Sequence, residues 1–168
     1  MTRLLAALAA AAALAAPASA ATIGRVGHVT DGDTIRLASG VRVRLVQIDT
    51  PEVYFGTECF GPQASAALHR LLPVGTRVRL VVDPALDRVD RYGRLLRYVI
   101  RVRDGLNVNV ALVRRGIAAP YFFDADRGRY ARLLVKLALR ARARHLGLWG
   151  ACPHTPVAFE RSVDTGRG

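Results

Sequence analysis

The run VRVRLVQI, Val41 to Ile48, constrains the fold more than any other stretch of the chain. Val41, Val43 and Leu45 alternate with Arg42 and Arg44, the period of a strand with one face buried. Then the phase slips, because Leu45 and Val46 are adjacent and both apolar. A one-residue slip sends every later side chain to the other face. Such a break marks a β-bulge or a barrel corner.

The flanking segments fit a barrel. Ile23–Thr30 reads as a strand ending at an Asp-Gly turn, Thr34–Leu37 as its partner, and Ser39-Gly40 turns the chain into the third strand. Residues 49–61 form a loop, Pro62 suits a helix first turn, and Gln63–Leu72 is a helix stopped by Pro73. Arg77–Val82 alternates again, with Val78, Leu80 and Val82 on one face. A charged loop follows, and Arg94–Arg103 places Leu96, Tyr98, Ile100 and Val102 on one face of a fifth strand. Asn107–Arg115 fits a short helix stopped by Gly116. Arg127–His145 is a long helix with an apolar stripe of Leu133, Leu134, Leu137 and Ala141. Its basic stripe, Arg132, Lys136, Arg140 and Arg144, is read as a solvated face. Gly147–Gly150 ends the domain, and residues 153–168 read as a loose, flexible tail. Five strands with a helix between the third and fourth predict an α+β protein: a five-stranded OB-fold barrel with three α-helices.

The chain has 168 residues, room for one domain. Residues 1–20 carry one early arginine, a long Ala/Leu run, a proline and Ala18-Ser19-Ala20, the pattern of a cleaved signal peptide. The run is short for a bilayer anchor, and no later stretch is apolar enough to span. The domain is therefore expected over residues 21–152, exported to periplasm or medium. Formal net charge is +12, and Lys136 is the only lysine among 25 basic side chains. That excess favours an anionic partner, nucleic acid first. Cys59 and Cys152 are an even pair in an exported chain, hence a candidate disulfide. It would close a loop of roughly 90 residues, worth at most about 4–5 kcal/mol in the chain-entropy model. His28, His69, His145 and His154 show no zinc-ligand spacing.

Four islands carry chemistry: TDGDT at 30–34, RLVQIDTPE at 44–52, DRYGR at 90–94 and PYFF at 120–123. An EF-hand reading of TDGDT fails, since the twelfth position is Arg42 counted from Asp31 and Arg44 counted from Asp33, where a glutamate is required. A plain turn and a cation ligand both remain open for it. RLVQIDTPE sets Asp49 and Glu52 just past a strand carrying Arg44, and the Thr50-Pro51 step holds Thr50 extended. Hard cations take carboxylate, carbonyl and water oxygens, which Asp33, Asp49 and the Thr50 carbonyl could supply. Arg44 and Arg94 carry planar, permanently charged forks matched to phosphate.

In order along the chain, DGDT, R-x₄-DTPE, GP-x-AS, DRYGR and NxALVR…GxA resemble the landmarks of the staphylococcal nuclease (thermonuclease) family, over about residues 22–149. The resemblance implies a calcium-dependent phosphodiesterase acting on DNA and RNA, single strands preferred, and leaving 3′-phosphates. It implies a monomer that works with one calcium ion. Asp33, Asp49 and the Thr50 carbonyl would be the calcium ligands, with Asp31 as a supporting acid. Glu52 would be the general base, and Arg44 and Arg94 would stabilise the transition state. Arg91, Tyr92 and Tyr121 resemble positions that hold the nucleotide. The family lysine before the Tyr-Gly turn is Arg91 here, and the segment before Tyr121 is one residue short. The rival reading is a non-catalytic OB-fold module for single strands, which also needs basic grooves and aromatics. Acids separate the two, because Asp33, Asp49 and Glu52 would repel the ligand of a pure binder.

Overall fold

The computed structural model describes residues 22–54 and 56–166; the expected signal peptide lies outside the described residues. In chain order the elements are β1 (Thr22–Val29), β2 (Thr34–Leu37), β3 (Arg42–Leu45), β4 (Ile48–Asp49) and α1 (Gly61–Leu71), then β5 (Arg77–Val81), β6 (Leu95–Arg101), α2 (Val108–Arg114), β7 (Ala119–Pro120), α3 (Ala131–Ala143) and α4 (Leu148–Ala151). Strands β1, β2 and β3 form an antiparallel meander, and β5 pairs antiparallel with both β1 and β6. Strand β6 runs parallel to β3, which closes the barrel in the order β1-β2-β3-β6-β5. This is the expected five-stranded barrel, consistent with an OB-fold, with three main helices and a short fourth. A separate two-stranded ribbon of β4 and β7 had no counterpart in the sequence reading.

The phase slip is a corner. Strand β3 ends at Leu45, whose N–H donates to the Asp33 carbonyl at 2.8 Å, while the Val46 N–H crosses to the Arg97 carbonyl at 3.0 Å. Gln47 then takes φ 64°, and Ile48 and Asp49 leave the barrel to pair with Pro120 and Ala119. Asn109, fully buried in α2, fixes the corner. Its Oδ1 accepts the Val99 N–H at 3.0 Å, and its Nδ2 donates to the Val46 carbonyl at 2.8 Å.

Val26, Ile35, Val43, Leu45, Val78, Leu80 and Val99 are among the strand residues of one core, which Leu68 of α1, Leu112 of α2 and Leu134 of α3 extend. Full burial of each such side chain contributes about 1.5–3 kcal/mol. Helix α3 starts at Ala131, later than the sequence pattern indicates. The N–H groups of Gly128 and Arg129 go instead to Gln47 Oε1 at 3.0 Å and Asp83 Oδ2 at 2.7 Å. Its buried stripe is Leu134, Leu137, Ala138 and Ala141, whereas Leu133 is exposed. Where the sequence placed the domain end, α4 buries Leu148 and Trp149.

Cys59 and Cys152 are bonded, with Cα atoms 6.1 Å apart. Of the segment read as a loose tail, the described residues 153–166 lie back on the domain: Thr155 and Val163 are buried, and the Phe159 carbonyl accepts the Phe122 N–H at 2.7 Å. Among the described residues no helix is long and apolar enough to cross a membrane.

Candidate active site

One open cleft of about 1150 Å³ lies where the β1–β2 turn, the β3–β4 corner and the loops before α1 and β6 meet. Asp31, Arg44, Asp49, Glu52, Arg91, Tyr92, Arg94 and Tyr121 all line it. The islands are thus neighbours in space although Asp31 and Tyr121 are far apart in sequence. Asp33 and Thr50 are buried and sit beneath the wall.

The TDGDT turn is packed directly onto the DTPE segment. Asp33 Oδ2 accepts from both the Thr50 N–H at 3.0 Å and the Thr50 hydroxyl at 3.1 Å. A Cβ on Gly32 would stand 2.5 Å from Thr50 Oγ1, so only glycine allows this approach. The Asp33 N–H donates to Asp31 Oδ1 at 3.0 Å, which turns the chain and sets Asp31 toward the cleft. Gly61 does the same for the next loop, since a Cβ there would lie 2.4 Å from the Glu52 carbonyl. Glu52 is also held through its main chain, its N–H donating to Glu58 Oε2 at 3.1 Å.

Arg44 links the acids. Its guanidinium pairs with Asp33 through one nitrogen and with Asp49 through another. Two buried carboxylates therefore converge on a single cationic group. Burial pushes the Asp31 carboxyl up, against the pull of Arg44. Burial likewise raises Glu52, and the negative charges of Asp49 and Asp31 add to it.

Asp90 organises the opposite wall, a role that the sequence reading did not assign. Its Oδ1 accepts the N–H of Tyr92 and of Arg94, both at 2.9 Å, and its Oδ2 pairs with Arg94 Nε at 2.6 Å. Burial alone would raise the Asp90 carboxyl, but the hydrogen bonds and charge of Arg94 hold it below the ordinary range. The signal was present as the first letter of DRYGR, an Asp placed to accept from the backbone two residues on. Arg91 and Arg94 flank the exposed Tyr92 ring, at 4.8 and 5.3 Å from its centroid. Tyr121 is half-buried and meets the exposed Phe123 edge-on at 6.5 Å. Phe123 also lines the cleft, and with Tyr54 and Tyr92 it gives the site exposed aromatic faces.

Among the described residues no three His, Cys, Asp or Glu side chains are grouped as a ready metal cage. The donor set nevertheless suits a hard cation of the calcium or magnesium kind. Two converging carboxylates supply part of the oxygen shell, and such ions complete it with carbonyl and water oxygens. The Arg44 guanidinium sits between Asp33 and Asp49, so both carboxylates already face a positive charge.

An OB-type barrel with arginines, carboxylates and exposed aromatics around one cleft defines a class of protein equipped to hold a phosphodiester chain. The chain belongs to the staphylococcal nuclease homologues, whose family model matches residues 42–151. It is 39% identical over 140 residues to protein ParB of Escherichia coli, covering 77% of this chain and 72% of that protein. It is 33% identical over 158 residues to endonuclease YhcR of Bacillus subtilis (strain 168), covering 85% of this chain but 13% of that much longer protein. An uncharacterized endonuclease of Escherichia coli O157:H7 is 35% identical over 136 residues, covering 79% of this chain and 80% of its own length.

Proposed function

We propose that this chain is an exported, calcium-dependent nuclease that hydrolyses the phosphodiester bonds of DNA and RNA, single strands preferred, and leaves 3′-phosphates. One observation carries the reading: the cleft holds Arg44, Arg94, Asp49, Glu52 and Asp31 together on its wall. A binding groove gains nothing from three acids facing a phosphate, whereas hydrolysis needs both signs. Family membership and relatives named as endonucleases support the same activity. The disulfide supports an oxidising compartment. The protein acts as a monomer in this reading.

The mechanism follows from the residue types. Asp33, Asp49 and the Thr50 carbonyl would hold the calcium ion, with Asp31 in support. A bound calcium ion would supply fixed positive charge beside the phosphoryl oxygens. Glu52 takes a proton from the attacking water, and its raised pKa makes it a better base than an ordinary carboxylate. The water oxygen bonds to phosphorus, the bond from phosphorus to the 5′-oxygen breaks, and that oxygen takes a proton from solvent water and leaves as the 5′-hydroxyl. Arg44 and Arg94 hold the phosphoryl oxygens as charge builds on them; Arg94, fixed by Asp90, costs little reorganisation at that moment, whereas Arg44 must first give up its ion pairs with Asp33 and Asp49. Arg91 takes the neighbouring phosphate, while Tyr92 and Tyr121 hold the nucleotide.

The test is single-stranded DNA cleavage by the mature chain with calcium and with a chelator, followed by end-group analysis. Cleavage with calcium alone and 3′-phosphate ends are expected; activity that survives chelation would remove the calcium assignment.

A further inference from the structure

The family match stops at residue 151, yet the chain beyond it reaches into the site. The buried Val163 N–H donates to Asp49 Oδ2 at 2.8 Å, a contact between residues 114 positions apart. Just past it, Thr165 Oγ1 donates to the Cys59 carbonyl at 2.7 Å, and the Cys59 N–H donates to the Gly166 carbonyl at 2.8 Å. Cys59 is also bonded to Cys152. Segment 152–166 is thus fastened to one residue at both ends, by sulfur at one and by main-chain carbonyl and amide at the other. Ser162, Asp164 and Gly166 form part of the cleft wall.

We infer that residues 159–166 are a strap that positions Asp49 and walls one side of the cleft. The inference rests on the proposed role of Asp49 as a calcium-facing carboxylate. One Asp49 oxygen faces Arg44, and the other is taken by the Val163 N–H. A carboxylate held through one oxygen cannot rotate freely, so the other stays aimed at the space it shares with Asp33. Outer partners of this kind are typically worth about 10–100-fold in metal affinity. The donor is a main-chain N–H, so the residue type at 163 matters less than the path of the chain. The Cys59–Cys152 bond secures that path and at the same time anchors the loop carrying Glu52 and Glu58.

The test compares Val163→Pro, which deletes the N–H, with Val163→Ala, which keeps it and trims the buried side chain. The full oxidised chain is titrated with calcium alone by calorimetry, and thermal unfolding is recorded beside it. Val163→Pro should weaken calcium about 10–100-fold, while Val163→Ala stays at the wild-type value. Equal weakening in both would show that only packing matters and would overturn the inference, as would wild-type affinity in Val163→Pro. Should Val163→Pro not fold, Thr165→Val and reduction of the disulfide in the wild-type chain decide: each should weaken calcium, and no change in either overturns the strap. Failure of the underlying reading looks different, since the wild-type chain itself would then bind no calcium.

Discussion

Asn109→Ala should be among the most damaging single substitutions outside the cleft. Asn109 is fully buried and ties the Val99 N–H of β6 to the Val46 carbonyl at the corner. Alanine leaves one buried donor and one buried acceptor without that partner. Each orphaned group costs about 1–3 kcal/mol, so the loss is about 4 kcal/mol if the corner does not rearrange. For a chain of this size the melting temperature should fall by roughly 8–16 °C. A control sits two residues away: Asn107 caps α2 by accepting the Val110 N–H at 3.2 Å, and Asn107→Ala should cost about 1 kcal/mol. Urea unfolding followed by circular dichroism measures both. If Asn109→Ala costs no more than Asn107→Ala, the corner is not held in the way described. The corner also carries the chain from Arg44 to Asp49, so nuclease activity should fall at temperatures where the variant is still folded.

Two further predictions concern acids that hold the scaffold. Asp90→Ala removes the acceptor for two backbone N–H groups and the partner of Arg94 Nε; turnover should drop by roughly 10–100-fold, as for other orienting partners, and an unchanged rate would mean that Arg94 is positioned by something else. Asp83 is buried; burial raises its carboxyl, but the N–H groups of Arg129 and Ala85 and the Tyr98 hydroxyl outweigh it and hold the pKa below the ordinary 3.8. A depressed folded-state pKa adds stability above the unfolded value and loses it as pH falls through the folded one. Stability should therefore decline below about pH 4, and Asp83→Asn should flatten that decline; an identical acid slope in the variant would refute the linkage.

The barrel was legible because its information is local. Alternation in Arg77–Val82 marks a half-buried strand, and the slip at Leu45-Val46 marks the corner, without knowledge of any distant partner. Alternation misassigns the core face of β6: Val99, out of phase with Leu96, Tyr98, Ile100 and Val102, enters the barrel core, Tyr98 and Ile100 are buried outside it because helices cover that side as well, and Val102 is exposed. The acids and arginines of the cleft were legible for the same reason, sitting in short runs whose turns can be read off. What escaped the sequence depends on partners far along the chain. Asn109 bonds across 63 positions, the Gly128 amide finds Gln47 across 81, and the Arg129 amide finds Asp83 across 46. Those last two contacts also explain the late start of α3: amides that periodicity assigns to a helix are satisfied elsewhere. The segment after Cys152 escaped for a different reason. It is held mainly by main-chain groups at Phe159, Val163 and Gly166, and no side-chain pattern announces such a contact.

The acidic turn shows how spacing can be read correctly and still leave a role open. TDGDT reads equally well as a turn and as a ligand pair because it is built as one object. Asp31 accepts the Asp33 amide, as a turn Asp does, and the same bond brings Asp31 to the cleft wall. Gly32 is required less by the bend than by Thr50, which would strike any Cβ placed there. Asp33, buried below, spends one oxygen on Thr50 and turns the other toward Arg44. The turn and the DTPE segment are therefore two halves of one packed unit, and neither has a settled role until the other is placed against it. A motif of this kind identifies the site from sequence, but the division of labour between its two acids is set by contacts across 17 positions that no local pattern contains.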